Sequence, residues 1–391
     1  MGTTFLHAHA AHADALTATA AVHQQLRAAA HRHARFAPTL AFLYFSDHHA
    51  AQAEALLADV QAAWPGVAVA GGVGIGVSAS GVEYFDEPGI VLMLCDLPRP
   101  SFSLFHGRAP LARDDALAAL VHADPATHDL AALIEELSER LPSGYLFGGL
   151  ASSRGRTITL ADGVFEGGLS GVAFGGDVGL LSRVTQGCQP LAKPRRVTEA
   201  AGNLVLSLDG EPSLPQLLGE LRVDLEHLPR AVAALRRTLV GLTDEGDTAL
   251  ARGGQFGADT RVRHLIGIDP ARQAIAIGDL VEPGTQLTFC TRDVEAARRD
   301  LVRICSEVRE EAESSVAVAG NESIRAPRRI AGAIYVSCTG RGGGHFGAPS
   351  AEMQTVRRAL GDVPLVGFYA AGEIARHHLY GYTGVLTAFL D

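Results

Sequence analysis

Strand-length segments that are apolar at nearly every position, rather than at alternate ones, set the strongest limit on what this chain can fold into. Thr39–Ser46 reads TLAFLYFS and Ile90–Leu97 reads IVLMLCDL. Such strands need cover on both faces, as in sheets whose connections run through helices. Thr39–Ser46 is followed by a helical pattern with Ala53, Leu56, Leu57 and Val60 on one face, stopped by Pro65-Gly66. A second strand then enters a glycine-rich stretch from Gly71 to Gly81.

The end of the chain repeats this order. Ile334–Ser337 is strand-like, Ala348–Leu360 helical, and Pro364–Phe368 strand-like, with a last strand at Val385–Leu390. The first of these strands ends at Cys338 and opens into TGRGGGHFG; the second ends in GFYAAGE, Gly367 to Glu373. Between the two copies, Leu133–Leu141 reads as helix, Tyr145–Leu150 as a strand containing Gly148-Gly149, and Gly171–Leu181 as a returning strand. The recurring order of strand, helix, strand, small-residue loop and strand points to internal duplication.

The middle has another character. Leu204, Leu206 and Leu208 alternate with Val205 and Ser207, Asp209-Gly210 turns the chain, and Leu214–Leu221 is helical. Leu265–Ile268, Ala274–Ile277 and Gln286–Thr291 are strand candidates separated by Asp269-Pro270 and Pro283-Gly284, so antiparallel pairing is expected. Asp293–Ser314 is a long helix with Leu301, Ile304, Cys305 and Val308 as its apolar stripe. The fold class read from these patterns is mixed α/β, with two domains of helix-covered mixed sheets, partly antiparallel.

A net charge of -10 without a basic stripe argues against nucleic acid as a partner. No apolar run approaches the length of a membrane span and no leader pattern opens the chain, so a soluble cytoplasmic protein is expected. The five cysteines form no CxxC pair, which argues against a disulfide framework or a zinc site. Eight of the sixteen histidines lie in the first fifty residues. They read as the wet face of an alanine-rich helix rather than as a metal site. No metal and no cofactor is expected.

These segments resemble the FIST family, a sensory module of bacterial signal transduction proteins and eukaryotic F-box proteins. Ala70–Val77 (AGGVGIGV) and Phe147–Ser152 (FGGLAS) resemble its N-terminal glycine loops. Gly187–Pro212 resembles the segment near its domain junction, and His264–Leu301 the middle of its C-terminal domain. Ser337–Gly342 (SCTGRG) and Gly367–Ile374 (GFYAAGEI) resemble its two signature loops. Gly74-Ile75-Gly76 stands where many members carry a threonine and an acidic residue. The alanine- and histidine-rich start reads as an N-terminal helical segment at 1–34, and the resemblance implies a FIST N-like domain at 35–225 and a FIST C-like domain at 226–391. It also implies a small-molecule ligand such as an amino acid. No kinase, cyclase or F-box region accompanies these segments, so output is expected to pass through a separate signalling protein.

The residues themselves favour one site. Glycine lets backbone N–H groups approach a ligand closely. Arg341 suits a carboxylate or phosphate and Glu373 an ammonium group. Cys338, Arg341, Gly342, Gly343, Phe368, Gly372 and Glu373 are therefore expected to border one cavity, completed by Gly71, Gly72 and Gly149. An Arg341–Glu373 salt bridge locking the loops together is the competing reading. Glu352 is placed either to orient Arg341 or to face solvent. Enzyme alternatives rest on Gly342-x-Gly344-x-x-Gly347, which fits a dinucleotide loop, and on Cys338 with His345 as a thiol pair. Neither forms a complete catalytic set, so a binding protein is expected over an enzyme; a scaffold with a vestigial pocket is the third class.

Overall fold

The computed structural model describes residues 2–111, 115–245, 256, 260–314, 316–319, 322–325 and 327–391. The fold is mixed α/β, and its order of elements repeats three times. The first repeat runs β1 (Phe5–Ala10), α1 (Ala15–Ala30), β2 (Leu40–Ser46), α2 (Ala53–Ala63), β3 (Ala68–Gly74), a hairpin of β4 (Gly76–Ala79) and β5 (Val82–Phe85), and β6 (Ile90–Cys95). The second runs β7 (Phe102–His106), β8 (Ala116–Ala123), α3 (Leu130–Glu139), β9 (Tyr145–Leu150), a hairpin of β10 (Thr159–Ala161) and β11 (Val164–Phe165), and β12 (Leu169–Gly175). The third begins with β13 (Gly179–Thr185) and is interrupted by a separate unit, Gln186–Ala297.

That inserted unit holds β14 (Cys188–Pro190), β15 (Arg195–Ala201), β16 (Leu204–Leu208), β17 (Glu211–Pro212), α4 (Ser213–Leu221), α5 (Leu228–Leu235), β18 (Thr238–Thr243), β19 (Arg261–Asp269), β20 (Ala274–Ile277) and β21 (Gln286–Arg292). Its pairings are antiparallel, as the sequence predicts. The order β21-β15-β16-β20-β19-β18 closes where β18 pairs with β21, making a barrel. Closure removes exposed edges. Val197, Val205, Val240, Ile275, Leu287 and Phe289 fill its core together with Leu214 and Leu217 of α4.

The third repeat resumes with α6 (Val294–Ser314), a hairpin of β22 (Val316–Ala319) and β23 (Glu322–Arg325), and then β24 (Ile330–Cys338), α7 (Ala351–Leu360), β25 (Leu365–Ala370), a hairpin of β26 (Glu373–Ala375) and β27 (His378–Tyr380), and β28 (Gly384–Leu390). The duplication expected from the sequence thus extends to a third copy. Each repeat carries one parallel pair bridged by a helix: β2–β3, β8–β9 and β24–β25.

The hairpins are exchanged in a cycle. β4–β5 of the first repeat joins β25 of the third, β26–β27 of the third joins β9 of the second, and β10–β11 of the second joins β3 of the first. The three sheets therefore read β1-β6-β2-β3-β10-β11, β7-β12-β8-β9-β26-β27 and β13-β28-β24-β25-β4-β5. One apolar core takes residues from all three, among them Phe42, Tyr44, Leu120, Phe147, Val336 and Phe389.

Two expectations are corrected in detail. The segment 1–34 is not wholly helical: its alternating FLHAHA forms β1, paired with β6, before Asp14 caps α1 by accepting the Thr17 N–H at 2.8 Å. Gly71 and Gly72 lie within β3 and not in a loop, while Gly149 lies within β9, the strand read from the sequence. At Gly71 and Gly148 the φ angles are +148° and +138°, and a Cβ would sit 1.8 and 2.0 Å from the carbonyl oxygens of Leu43 and Val121. Only glycine lets the parallel pair close there. The division expected at residue 225 falls inside the barrel unit. The larger unit, Met1–Thr185 with Arg298–Asp391, unites segments from both ends of the chain through shared sheets. Among the described residues, no helix is long and apolar enough to cross a membrane.

Candidate functional site

The C-terminal ends of β24 and β25 carry two groups of polar side chains, one on each side of the sheet. Residues alternate across a strand, so Tyr335 and Ser337 face α7 while Val336 and Cys338 face the core shared by the three sheets. After Cys338 a single 3-10 turn, Thr339–Arg341, sends Arg341 in beneath the helix.

Arg341 is 1 % exposed. Its Nε donates to Glu352 Oε1 of α7 at 2.8 Å, and its Nη2 forms an ion pair with the same oxygen at 2.7 Å and donates to the Tyr335 hydroxyl at 3.4 Å. The Tyr335 hydroxyl donates to the same oxygen at 2.8 Å, and Ser337 Oγ donates to Oε2 at 3.0 Å. The guanidinium also lies 5.2 Å from the Phe346 ring centroid. These neighbours hold Arg341 protonated despite its burial. Glu352, the residue placed either to orient Arg341 or to face solvent, orients it. The salt bridge of Arg341 is thus made with Glu352 and not with Glu373.

Beside this pair, Glu83 of β5 accepts the Met353 N–H at 2.9 Å. Burial pushes its carboxyl up to about 7, opposed by that hydrogen bond and reinforced by nearby Glu352. The Tyr369 hydroxyl lies beside Glu83 without a hydrogen bond of normal geometry, and Arg341 Nη1 has no partner.

On the core side, Glu373 Oε2 accepts the Thr383 N–H and hydroxyl at 3.1 and 2.7 Å, while Oε1 is unpaired. Burial pushes this carboxyl up to about 8. Cys338 lies against it, and burial together with the Glu373 charge pushes the thiol up to about 12. Both effects disfavour the thiolate at neutral pH. The amide of Met353, in the first turn of α7, is occupied by Glu83 and does not face an open phosphate cradle.

The remaining expected residues divide. Gly342 lies under Phe85, which a Cβ would meet at 1.9 Å, and Gly343 follows with φ +64°. The Gly372 carbonyl accepts the Leu150 N–H. Gly149 is the register partner of Glu373, so these two are brought together. Phe368 turns to the core, its ring 5.0 Å from Tyr44 and 5.8 Å from His122. Gly71 and Gly72 pair with Leu43 and Tyr44 in the first repeat's sheet and are not part of this group. Tyr335, Ser337, Glu83 and Thr383 escaped sequence reasoning. Tyr335 and Ser337 left one trace, as alternate polar residues in an apolar strand; Glu83 left none, because it arrives by hairpin exchange.

A model of the FIST N domain matches residues 39–211 and a model of the FIST C domain matches residues 220–376. Relatives include an uncharacterised protein of Mycobacterium tuberculosis strain H37Rv, 33 % identical over 399 residues, covering 93 % of this chain and 95 % of the relative. Another, an uncharacterised protein of Mycobacterium bovis, is 33 % identical over 373 residues and covers 91 % of each.

Proposed function

This chain belongs to the FIST family, whose domains are sensory and ligand-binding, and from that premise we propose that it is an intracellular sensor of a small polar metabolite such as an amino acid. The ligand binds at the C-terminal ends of β24 and β25, and a separate signalling protein reads its occupancy. One observation carries this reading. Two buried polar groups, the Arg341 guanidinium just after β24 and the Glu373 carboxyl that opens β26, each keep an atom without a hydrogen bond, Nη1 and Oε1. Buried polar atoms of this kind are normally satisfied, and an unfilled ligand position accounts for Arg341 Nη1. Five unpaired cysteines agree with a reducing compartment.

The test is a thermal-shift screen of amino acids and related metabolites. A ligand at one hundred times its Kd stabilises the folded state by about 2.7 kcal/mol. Arg341→Ala is expected to remove that shift while circular dichroism retains the fold. A screen without any stabilising compound, or a shift that survives Arg341→Ala, overturns the proposal.

A further inference from the structure

The three-fold repeat provides an internal control for the site. In the first repeat's sheet, the row of side chains level with the close-approach glycine reads Leu92, Leu43, Gly71, Leu160 and Val164. The matching row in the second sheet is Gly171, Val121, Gly148, Ile374 and Leu379. In the third it is Leu386, Tyr335, Gly367, Ser78 and Glu83. Two residues further along the parallel pair, Phe45 with Val73 and Ala123 with Leu150 correspond to Ser337 with Tyr369.

In the first two repeats these residues pack with apolar side chains of α2 and α3 in continuous cores. Under α7 the same positions hold two tyrosines, two serines and a glutamate, joined by Glu352 and Arg341. The fold itself accepts apolar residues at these positions, as it does so twice. Exchanging a buried ion pair for apolar residues is often neutral or stabilising, so the polar layer is not what stability requires.

Two further observations point to a ligand. Arg341 Nη1 is buried in this layer without a partner, and the Tyr369 hydroxyl, buried in the same layer, meets Glu83 without a hydrogen bond of normal geometry. A narrow crevice of about 10 Å³, room for about one water, runs along α7, bordered by Ser80 and Gly81 of the exchanged hairpin and by Met353, Val356 and Leu365. Met353, whose amide holds Glu83, stands between the crevice and the polar layer.

We propose that the layer beneath α7 is the ligand chamber, entered where α7 parts from the β4–β5 hairpin along this crevice, and that it takes a small molecule bearing a carboxylate. This rests on the sensor reading above and assigns the ligand's chemical class. Nη1 can only donate and the Tyr369 hydroxyl has a proton to donate, so an acceptor on the ligand satisfies both. Glu352 occupies the Nε–Nη2 edge of Arg341, and the edge bearing Nη1 is left for a second carboxylate. The ligand's negative charge arrives beside Glu352 and Glu83. Glu83 offsets it by taking a proton from solvent. The groups around Glu83 are Glu352 and the Met353 N–H from α7, Tyr369 from β25 and Ser350 ahead of α7, with Arg341 and Tyr335 one contact away. Ligand binding therefore takes up a proton and weakens as pH rises past about 7.

Calorimetric titration with acetate, lactate, succinate and glutamate, each against its uncharged amide counterpart, tests this at pH 6 and pH 8. At least one acid is expected to bind at least tenfold more tightly than its amide, with affinity falling about tenfold between the two pH values. Tyr369→Leu and Ser78→Leu install the residue types of the sister layers, at Leu150 and Leu160, so they are expected to retain the fold and abolish binding. Glu83→Gln is expected to bind with the pH dependence removed. Failure of every acid to bind, equal binding of acids and amides, or binding unaffected by Tyr369→Leu overturns the proposal. A metabolite without a carboxylate that stabilises the protein through Glu373 but not Tyr369 overturns the chamber and leaves the sensor reading standing.

Discussion

The layer beneath α2 and the layer beneath α7 share one backbone plan and opposite chemistry. Under α2, Leu43, Phe45, Val73 and Leu160 meet Leu56, Leu57 and Val60, all buried. Each such side chain contributes about 1.5–3 kcal/mol by leaving water. Under α7, the matching layer is polar and encloses Arg341 and Glu352, and desolvation costs several kcal/mol per ion before their attraction offsets it. The difference teaches that helix, parallel pair and close-approach glycine are the scaffold, whereas the polar layer is an addition the scaffold tolerates.

The comparison breaks most easily at Glu352. Glu352→Ala leaves Arg341 buried without its partner and should lower stability by about 3–5 kcal/mol in urea unfolding. The paired replacement of Arg341→Met with Glu352→Leu should recover most of that loss, because it makes the layer resemble its apolar sisters. A double variant as unstable as the single one would mean that the polar layer is itself required for folding.

A pH series gives the next largest effect. The Glu83 carboxyl is raised from its ordinary 4.5 to about 7, so between these values the folded state holds the proton more tightly than the unfolded chain. Its contribution is fully present below about pH 4.5 and lost as pH rises to 7, by about 3 kcal/mol. Glu373, pushed up to about 8, carries the same trend further. Stability measured by denaturant titration should fall from pH 5 to 8, and Glu83→Gln should flatten the part below 7. An unchanged slope in that variant would remove Glu83 as its source.

The smallest test is reciprocal. Ser337→Ala removes one hydrogen bond to a charged acceptor and should cost about 2 kcal/mol. Ala123→Ser, at the matching position of the second repeat, should cost a similar amount for the opposite reason, a buried hydroxyl without a partner. Chemical denaturation of both variants checks the pair; a neutral Ala123→Ser would show that the sister layer is less strictly apolar than its packing indicates.

Local order was legible in the sequence: the apolar strands, the helix after each, the glycines at their ends and the antiparallel middle follow from period and turn chemistry. The same signals located Arg341, Glu352 and Glu373 on neighbouring elements of the third repeat. Family resemblance was legible too, because its motifs lie in contiguous stretches. Only the tertiary structure decided that Gly71 is a strand glycine and why Gly71 and Gly148 must be glycine, since the need for them lies in the carbonyl of the neighbouring strand. The choice of Glu352 over Glu373 as partner of Arg341 also awaited the fold, for the two carboxylates lie on opposite faces of one sheet. Glu83 reaches Tyr369 and Met353 across more than two hundred residues through an exchanged hairpin. Sequence periodicity records which face a residue takes within its own element; which element covers that face is set by strand exchange, a non-local pairing that no local pattern encodes.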